Sequence, residues 1–371
     1  MNCKPKNYLF VSPTAVLGGA ERVMFNIILT LLDNGNYVTL YIMSRGEQSG
    51  WDLIKNHPNF NLIIKKYNSE KTSLPMLLFS LFYLSHTRKY DFGFSTHSHV
   101  NGIMSLMRKL KLLKVDFLIS RESTVVFERY YGVWKIIFKL IYRFMYGSQD
   151  LVICQTERMK VSLINNLGYK PAKKIKVVPN PINISYIETQ LLNNKNLVKP
   201  FNTLIVGCGR LISLKKFDYL IEAFASISSV FPEVGLVIIG DGPEKSKLIA
   251  LVDSLDIKDK VIFTGKISNP IQWFAQAEIG VVSSELEGFP NVLIEMMASG
   301  IKQIITTPCS DGVNEIPNID VTDSCSINDI KESINKSLIN PIDYSFEYKD
   351  YVYNKRSTDN FLNKVEVLLK E

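Results

Sequence analysis

Cysteine is scarce in this sequence, and nothing in its placement suggests pairing. The five cysteines (Cys3, Cys154, Cys208, Cys309 and Cys325) among 371 residues contain no Cys-x-x-Cys. They are odd in number, and reduced thiols in a cytosolic protein are expected rather than a disulfide framework. Long apolar runs are missing as well. The longest, Leu74 to Leu84 (LPMLLFSLFYL), has 11 residues and contains a proline, whereas a membrane span needs about 20. No secretory leader is expected, because the basic start MNCKPKNYLFVSP turns directly into a strand-like run. There is no Gly-x-Gly-x-x-Gly and no Walker-type lysine after a strand, so neither a nicotinamide site nor a P-loop is supported. The basic residues are not set in any nucleic-acid-binding motif, and no nucleic-acid partner is expected.

What is present is globular in composition, 46% hydrophobic and 21% charged, and the length fits two domains. The net charge of +7 conceals an asymmetry. Residues 1–182 carry 25 Lys/Arg and 11 Asp/Glu (25 − 11 = +14), and residues 183–371 carry 18 and 25 (18 − 25 = −7). The first half is suited to an anionic partner and the second is not.

Both halves alternate short β-branched runs with longer amphipathic segments, the pattern of a doubly wound α/β fold. In the first half NYLFVSP, YVTLYIM, DFGFS, VDFLIS, DLVICQ and KIKVVPNPI read as strands, with a helix over 20–32. In the second, TLIVGCGR, VGLVIIGDG, KVIFTG, AEIGVVSS and IKQIITT read as strands, with helices near 217–231, 244–255, 269–277 and 290–299. The polar stretch 183–200 is the expected linker. Domains are expected over 1–185 and 200–350, with a helical segment over 351–371 that could pack back on the first domain.

Four stretches carry candidate chemistry. Gly18-Gly19-Ala20-Glu21-Arg22 follows the first strand and opens a helix, which admits a ligand close to the positive helix end or is a plain turn. Arg210 and Lys215 lie in the loop after the first strand of the second half, where such sheets bind ligands. Arg offers a planar fork for phosphate and Lys a point charge, unless the loop is simply solvated. Gly240 to Glu244 (GDGPE) reads in isolation as a tight turn before a helix. In SELEGFPNVLIEMMASG, Pro290 suits a first helical position, which leaves Gly288 and Phe289 at the helix mouth. Glu287 then lies outside the mouth and Glu295 inside. Carboxylates there suit sugar hydroxyls, while the mouth's amides suit an anion; taken alone, Glu295 is an acid near a favourable helix end.

In this order and spacing, the GGAER, GRL-x3-K, GDGPE and E-x7-E elements resemble glycosyltransferase family 4, the retaining GT-B enzymes. The resemblance spans Leu9 to Ile316 and is densest from Val206 to Gly300. It implies two Rossmann-like domains facing a cleft, and transfer of a sugar from a nucleotide diphosphate sugar. By motif, Arg210 and Lys215 would grip the donor diphosphate, and Glu295 the ribose. Glu287 with the stretch Gly288, Phe289, Pro290 and Asn291 would hold the sugar, and the loop at Lys266 would meet the base. Gly18 and Gly19 would close over the phosphates. The Ile119–Thr124 stretch and the E-x7-E wording are similar to bacterial surface-polysaccharide and glycan-assembly members, several of which add N-acetylhexosamines. A UDP-sugar donor and a polyprenyl-diphosphate-linked glycan acceptor follow as expectations. Many relatives carry a histidine where this chain has Arg121 and Glu122. These two, with His97 and His99, are candidates for the acceptor side.

No Asp-x-Asp occurs, so no metal or other cofactor is expected, and the cations are expected to neutralise the leaving group. Lys135, Lys139 and Arg143 repeat on an apolar helix, with Arg108, Lys109, Lys111 and Lys114 upstream. These point to an anionic membrane surface, met from the cytoplasmic side, although a buried helix with snorkelling lysines reads alike. A GDP-mannose-dependent mannosyltransferase, a non-hydrolysing sugar-nucleotide epimerase and a non-catalytic nucleotide-sugar binder are the alternatives.

Overall fold

The computed structural model describes residues 4–44, 50–65, 67, 70–167, 174–192, 198–267 and 269–371. Cys3 and residues 193–197 of the expected linker lie outside the described residues. The chain forms two compact units, one comprising residues up to Asn183 together with Thr358–Glu371, the other Ile184–Ser357.

The first unit runs β1 (Asn7–Thr14), α1 (Gly19–Asp33), β2 (Tyr37–Ser44), β3 (Phe60–Ile64), α2 (Glu70–Thr87), β4 (Phe92–Ser95), α3 (Ser98–Lys109), β5 (Phe117–Arg121), α4 (Val126–Arg129), α5 (Gly132–Met145), β6 (Leu151–Cys154), α6 (Glu157–Leu167) and β7 (Ile175–Val177). Its seven strands pair in parallel in the order β3-β2-β1-β4-β5-β6-β7. Strands covered on both faces need continuous apolar runs rather than alternation, and Leu9, Phe10 and Val11 of β1 are all buried. β3 is an addition to the expected strands; its FNLII is short and only Phe60 is fully buried.

The second unit runs α7 (Ile184–Leu192), β8 (Thr203–Cys208), α8 (Phe217–Ser228), β9 (Val234–Ile239), α9 (Lys245–Ser254), β10 (Val261–Gly265), α10 (Ile271–Gln276), β11 (Ile279–Val282), α11 (Asn291–Ser299), β12 (Gln303–Thr306), β13 (Asp320–Val321), α12 (Ile327–Ile339) and α13 (Ser345–Arg356). The sheet order is β10-β9-β8-β11-β12-β13, again parallel. Each sheet therefore reverses its winding once, at β1/β4 and at β8/β11. The crevice at the carboxyl ends of such strands is where doubly wound sheets bind ligands.

Two expectations are corrected here. The first part of the stretch expected as linker is helix α7, which packs on α10 and α11 and buries Ile187. The segment 351–371 is not one helix. α13 ends at Arg356, Ser357 is extended, and α14 (Thr358–Lys370) belongs to the first unit, packed on α1.

Candidate active site

In the second unit, the loops leaving the strands are joined to one another by hydrogen bonds along the carboxyl edge. Gly240 N–H donates to Gly265 O (3.0 Å), Gly209 N–H to Ile239 O (2.9 Å) and Leu211 N–H to Asp241 O (3.0 Å). Further along, Glu285 N–H donates to Leu214 O and Glu287 N–H to Cys309 O, both at 2.9 Å. The glycines of GDGPE are required by this contact. A Cβ on Gly240 would stand 1.9 Å from Gly209 O, and one on Gly242 would stand 2.3 Å from Leu211 O. Gly240 also has φ +144°, which side chains rarely adopt. The loop carrying Arg210 and Lys215 is thus fixed by backbone on both sides. Arg210, in this loop, and Lys266, in the loop that follows β10, are both exposed.

α11 begins at Asn291, with Pro290 as its N-cap rather than its first residue, one position from the expectation. Gly288 and Phe289 are buried at this mouth, Ser310 Oγ donates to Gly288 O at 2.9 Å, and Glu295 is a buried residue one turn inside. Lys215 Nζ forms an ion pair with Glu287 Oε1, which also accepts from Ser284 Oγ at 2.9 Å. The two side chains are 22% and 17% exposed, so the pair is shielded but reachable. Ser283 Oγ donates to Lys215 O (2.8 Å), which locks the lysine's backbone to the loop after β11 that carries Glu287. Two residues matched to different parts of a ligand therefore converge on one point at the helix mouth. Behind them Cys309 is buried, its thiol pushed up to about 12 by burial and by Glu287. It stays protonated and inert at neutral pH.

In the first unit, Gly18 is the N-cap of α1 and Gly19 its first residue. Glu21, to which the family motif assigns no role, folds back over this mouth. A Cβ on Gly18 would come within 2.8 Å of Glu21 Oε2, and Glu21 Oε1 lies 3.2 Å from His97 Nε2. Gly-x-x-Glu at a helix start follows the capping-box spacing, a signal present in the sequence. The phosphates expected at Gly18 and Gly19 would meet this carboxylate unless it stays paired with His97. His97 caps α3, and its ring lies 6.0 Å from that of His99.

Arg121 ends β5 fully buried, its Nε donating to Asn180 Oδ1 at 3.1 Å. Burial lowers its pKa to about 10, opposed by Glu122 and Glu21. Asn180 donates in turn to Gln155 Oε1, and Gln155 to Glu122 O, both at 2.9 Å. The acceptor-side role expected of Glu122 gives way to a structural one. Its Oε2 accepts from Ser98 Oγ (2.7 Å) and Tyr142 OH (2.6 Å), and its Oε1 from Asn101 Nδ2 (3.1 Å) and Tyr146 OH (2.6 Å). A carboxylate 1% exposed with four donors has no face left for a substrate. It instead ties α3 and α5 to the sheet.

α5 buries Tyr142 alone, while Val133, Trp134, Ile136, Leu140 and Phe144 are exposed beside Lys139 and Arg143. The upstream basic cluster is partly consumed. Arg108 pairs with Asp150, and Lys109 donates to Tyr146 O and Phe144 O near the carboxyl end of α5. Among the described residues no group of three or more His, Cys, Asp or Glu could hold a metal ion, and no helix is long and apolar enough to cross a membrane.

Residues 17–186 match the family model described as Glycosyltransferase Family 4, and residues 190–357 the model described as Glycosyl transferases group 1. An uncharacterized glycosyltransferase of Methanocaldococcus jannaschii is 28% identical over 248 residues, 63% of this chain and 60% of that protein. The N-acetylgalactosamine-N,N'-diacetylbacillosaminyl-diphospho-undecaprenol 4-alpha-N-acetylgalactosaminyltransferase of Campylobacter jejuni is 30% identical over 181 residues, 49% of this chain and 47% of that protein. The chain thus spans about half the length of these curated relatives. Among solved structures, Anabaena HepE in complex with UDP and glucose superposes with a TM-score of 0.79 at 16% identity, covering 98% of this chain and 99% of that one, a likeness of fold.

Proposed function

The chain belongs to the GT-B glycosyltransferases of family 4, and we propose that it moves a sugar from a nucleotide diphosphate sugar to a lipid-linked glycan, with retention at the anomeric carbon. The observation that carries this reading is the Lys215–Glu287 pair at the mouth of α11. A cation for the diphosphate and a carboxylate for the sugar stand side by side, each fixed by neighbouring loops. Arg210 and Lys215 hold the diphosphate, Glu295 the ribose, and the loop at Lys266 the base. The acceptor hydroxyl attacks the anomeric carbon on the face from which the diphosphate departs. The bond from carbon to the β-phosphate oxygen breaks, and the leaving phosphate takes the hydroxyl proton. Catalysis is then mainly electrostatic, with Arg210, Lys215 and the α11 amides stabilising charge on the leaving group.

We further assign a UDP-linked N-acetylhexosamine as donor and a polyprenyl-diphosphate-linked glycan as acceptor. Support comes from the reaction named for the Campylobacter relative and from the UDP in the Anabaena structure. The exposed apolar and basic face of α5 supports docking on an anionic membrane surface at its cytoplasmic side. The pathway would be surface-polysaccharide assembly.

Purified protein incubated with UDP- and GDP-sugars, lipid-linked acceptor and excess EDTA, read by product mass, tests this. A HexNAc adduct from the UDP-sugar supports the assignment. GDP-mannose as sole productive donor overturns the donor, activity restored only by added metal overturns metal independence, and an altered nucleotide sugar formed without acceptor favours an epimerase.

A further inference from the structure

The donor mouth is fixed by hydrogen bonds on its Glu287 and Gly288 sides, but Phe289 is held by a cation. Arg356, the last residue of α13, is 3% exposed, and its guanidinium carbon lies 4.8 Å from the Phe289 ring centroid. The same group stands 5.6 Å from the Tyr351 ring, and its Nε donates to Tyr351 OH at 3.1 Å. Its Nη1 is buried without a hydrogen-bond partner. A site needing only bulk would be filled more cheaply by methionine or leucine, since a desolvated guanidinium with an unmet N–H is unfavourable. What the arginine provides here is a flat cation against the ring, a contact that strengthens when water is excluded.

Phe289 sits between Gly288, whose carbonyl is pinned by Ser310, and Pro290, the N-cap of α11. Restraining its ring therefore restrains the direction of the mouth's backbone amides. We propose that Arg356 is a positioning residue of the nucleotide-sugar site: by clamping Phe289 it holds the Gly288–Asn291 mouth in the orientation that receives the donor. This rests on the functional reading above. The arginine also immediately precedes Ser357, after which the chain returns to the first unit.

The test is calorimetric binding of UDP and steady-state donor kinetics, with thermal melting of each protein, for the parent, Arg356→Lys, Arg356→Met, Phe289→Leu and the double variant Arg356→Met/Phe289→Leu. Loss of a desolvated cation–ring contact predicts a rise in UDP Kd and donor KM of roughly five- to thirtyfold for Arg356→Met, with kcat little changed. Arg356→Lys, which keeps the charge but not the plane, should fall between. Since both groups act through one contact, the double variant should bind no worse than the weaker single variant. A lowered melting temperature with unchanged Kd and KM would make the residue merely structural, and additive losses in the double variant would also overturn the proposal. A parent that binds no nucleotide or nucleotide sugar would sink the functional reading itself. A parent that binds, with variants that bind equally, would sink only this assignment.

Discussion

Replacing Glu287 by Gln should separate its role from that of Lys215. Glu287 Oε1 accepts from both Lys215 Nζ and Ser284 Oγ. A glutamine oxygen can keep the serine bond, so the loop should hold its shape while the charge is lost. Two consequences follow. The transferred sugar gains positive charge as its bond to the diphosphate breaks, and a carboxylate beside it is worth more then than in the ground state. A hydrogen bond to a charged group contributes roughly 1.5–3 kcal/mol, so kcat should fall about 10- to 150-fold. Lys215, relieved of its intramolecular partner, should meet the diphosphate at least as well as before, so donor KM should stay level or drop. The assay is initial rate against donor concentration at saturating acceptor, with UDP Kd measured in parallel. A KM raised tenfold with kcat retained would refute the reasoning, since Glu287 would then be holding something that does not change during the reaction.

Glu295→Gln should show the opposite split, a raised donor KM with kcat spared, because a ribose contact is uniform binding; steady-state kinetics decides it, and a fall in kcat alone would reverse the two assignments. Replacing Lys135, Lys139 and Arg143 together by Gln should weaken flotation with anionic vesicles, most clearly at low salt where screening is least. Equal flotation of parent and variant would remove α5 from the membrane reading. Glu122→Gln should destabilise the first unit by about 2–4 kcal/mol, because a buried carboxylate loses its charged hydrogen bonds to Ser98, Asn101, Tyr142 and Tyr146. Chemical denaturation followed by near-ultraviolet circular dichroism would register this, and an unchanged midpoint would show that the four bonds are dispensable.

The sequence by itself determined what depends on neighbours along the chain. Apolar runs such as TLIVGC and VGLVII must be strands buried on both faces, and a glycine after such a run marks where the backbone turns toward the carboxyl edge. The E-x7-E spacing placed one acid outside a helix mouth and one inside it, correct to one residue. What only the tertiary structure decided depends on partners distant in sequence. Lys215 and Glu287 are 72 residues apart, and nothing local announces their ion pair. Gly240 has the positive φ of a turn glycine, but that Gly209 O would also lie against any Cβ there is a fact about packing that the turn sequence does not show. Glu122 reads as an exposed acid after a strand until Tyr142 and Tyr146 arrive from α5 to occupy both oxygens. Arg108 and Lys109 read as free charge until Asp150 and the end of α5 engage them. A charged side chain declares its type in the sequence, but whether that charge faces a ligand or is consumed by the fold depends on which distant donors and acceptors share its burial.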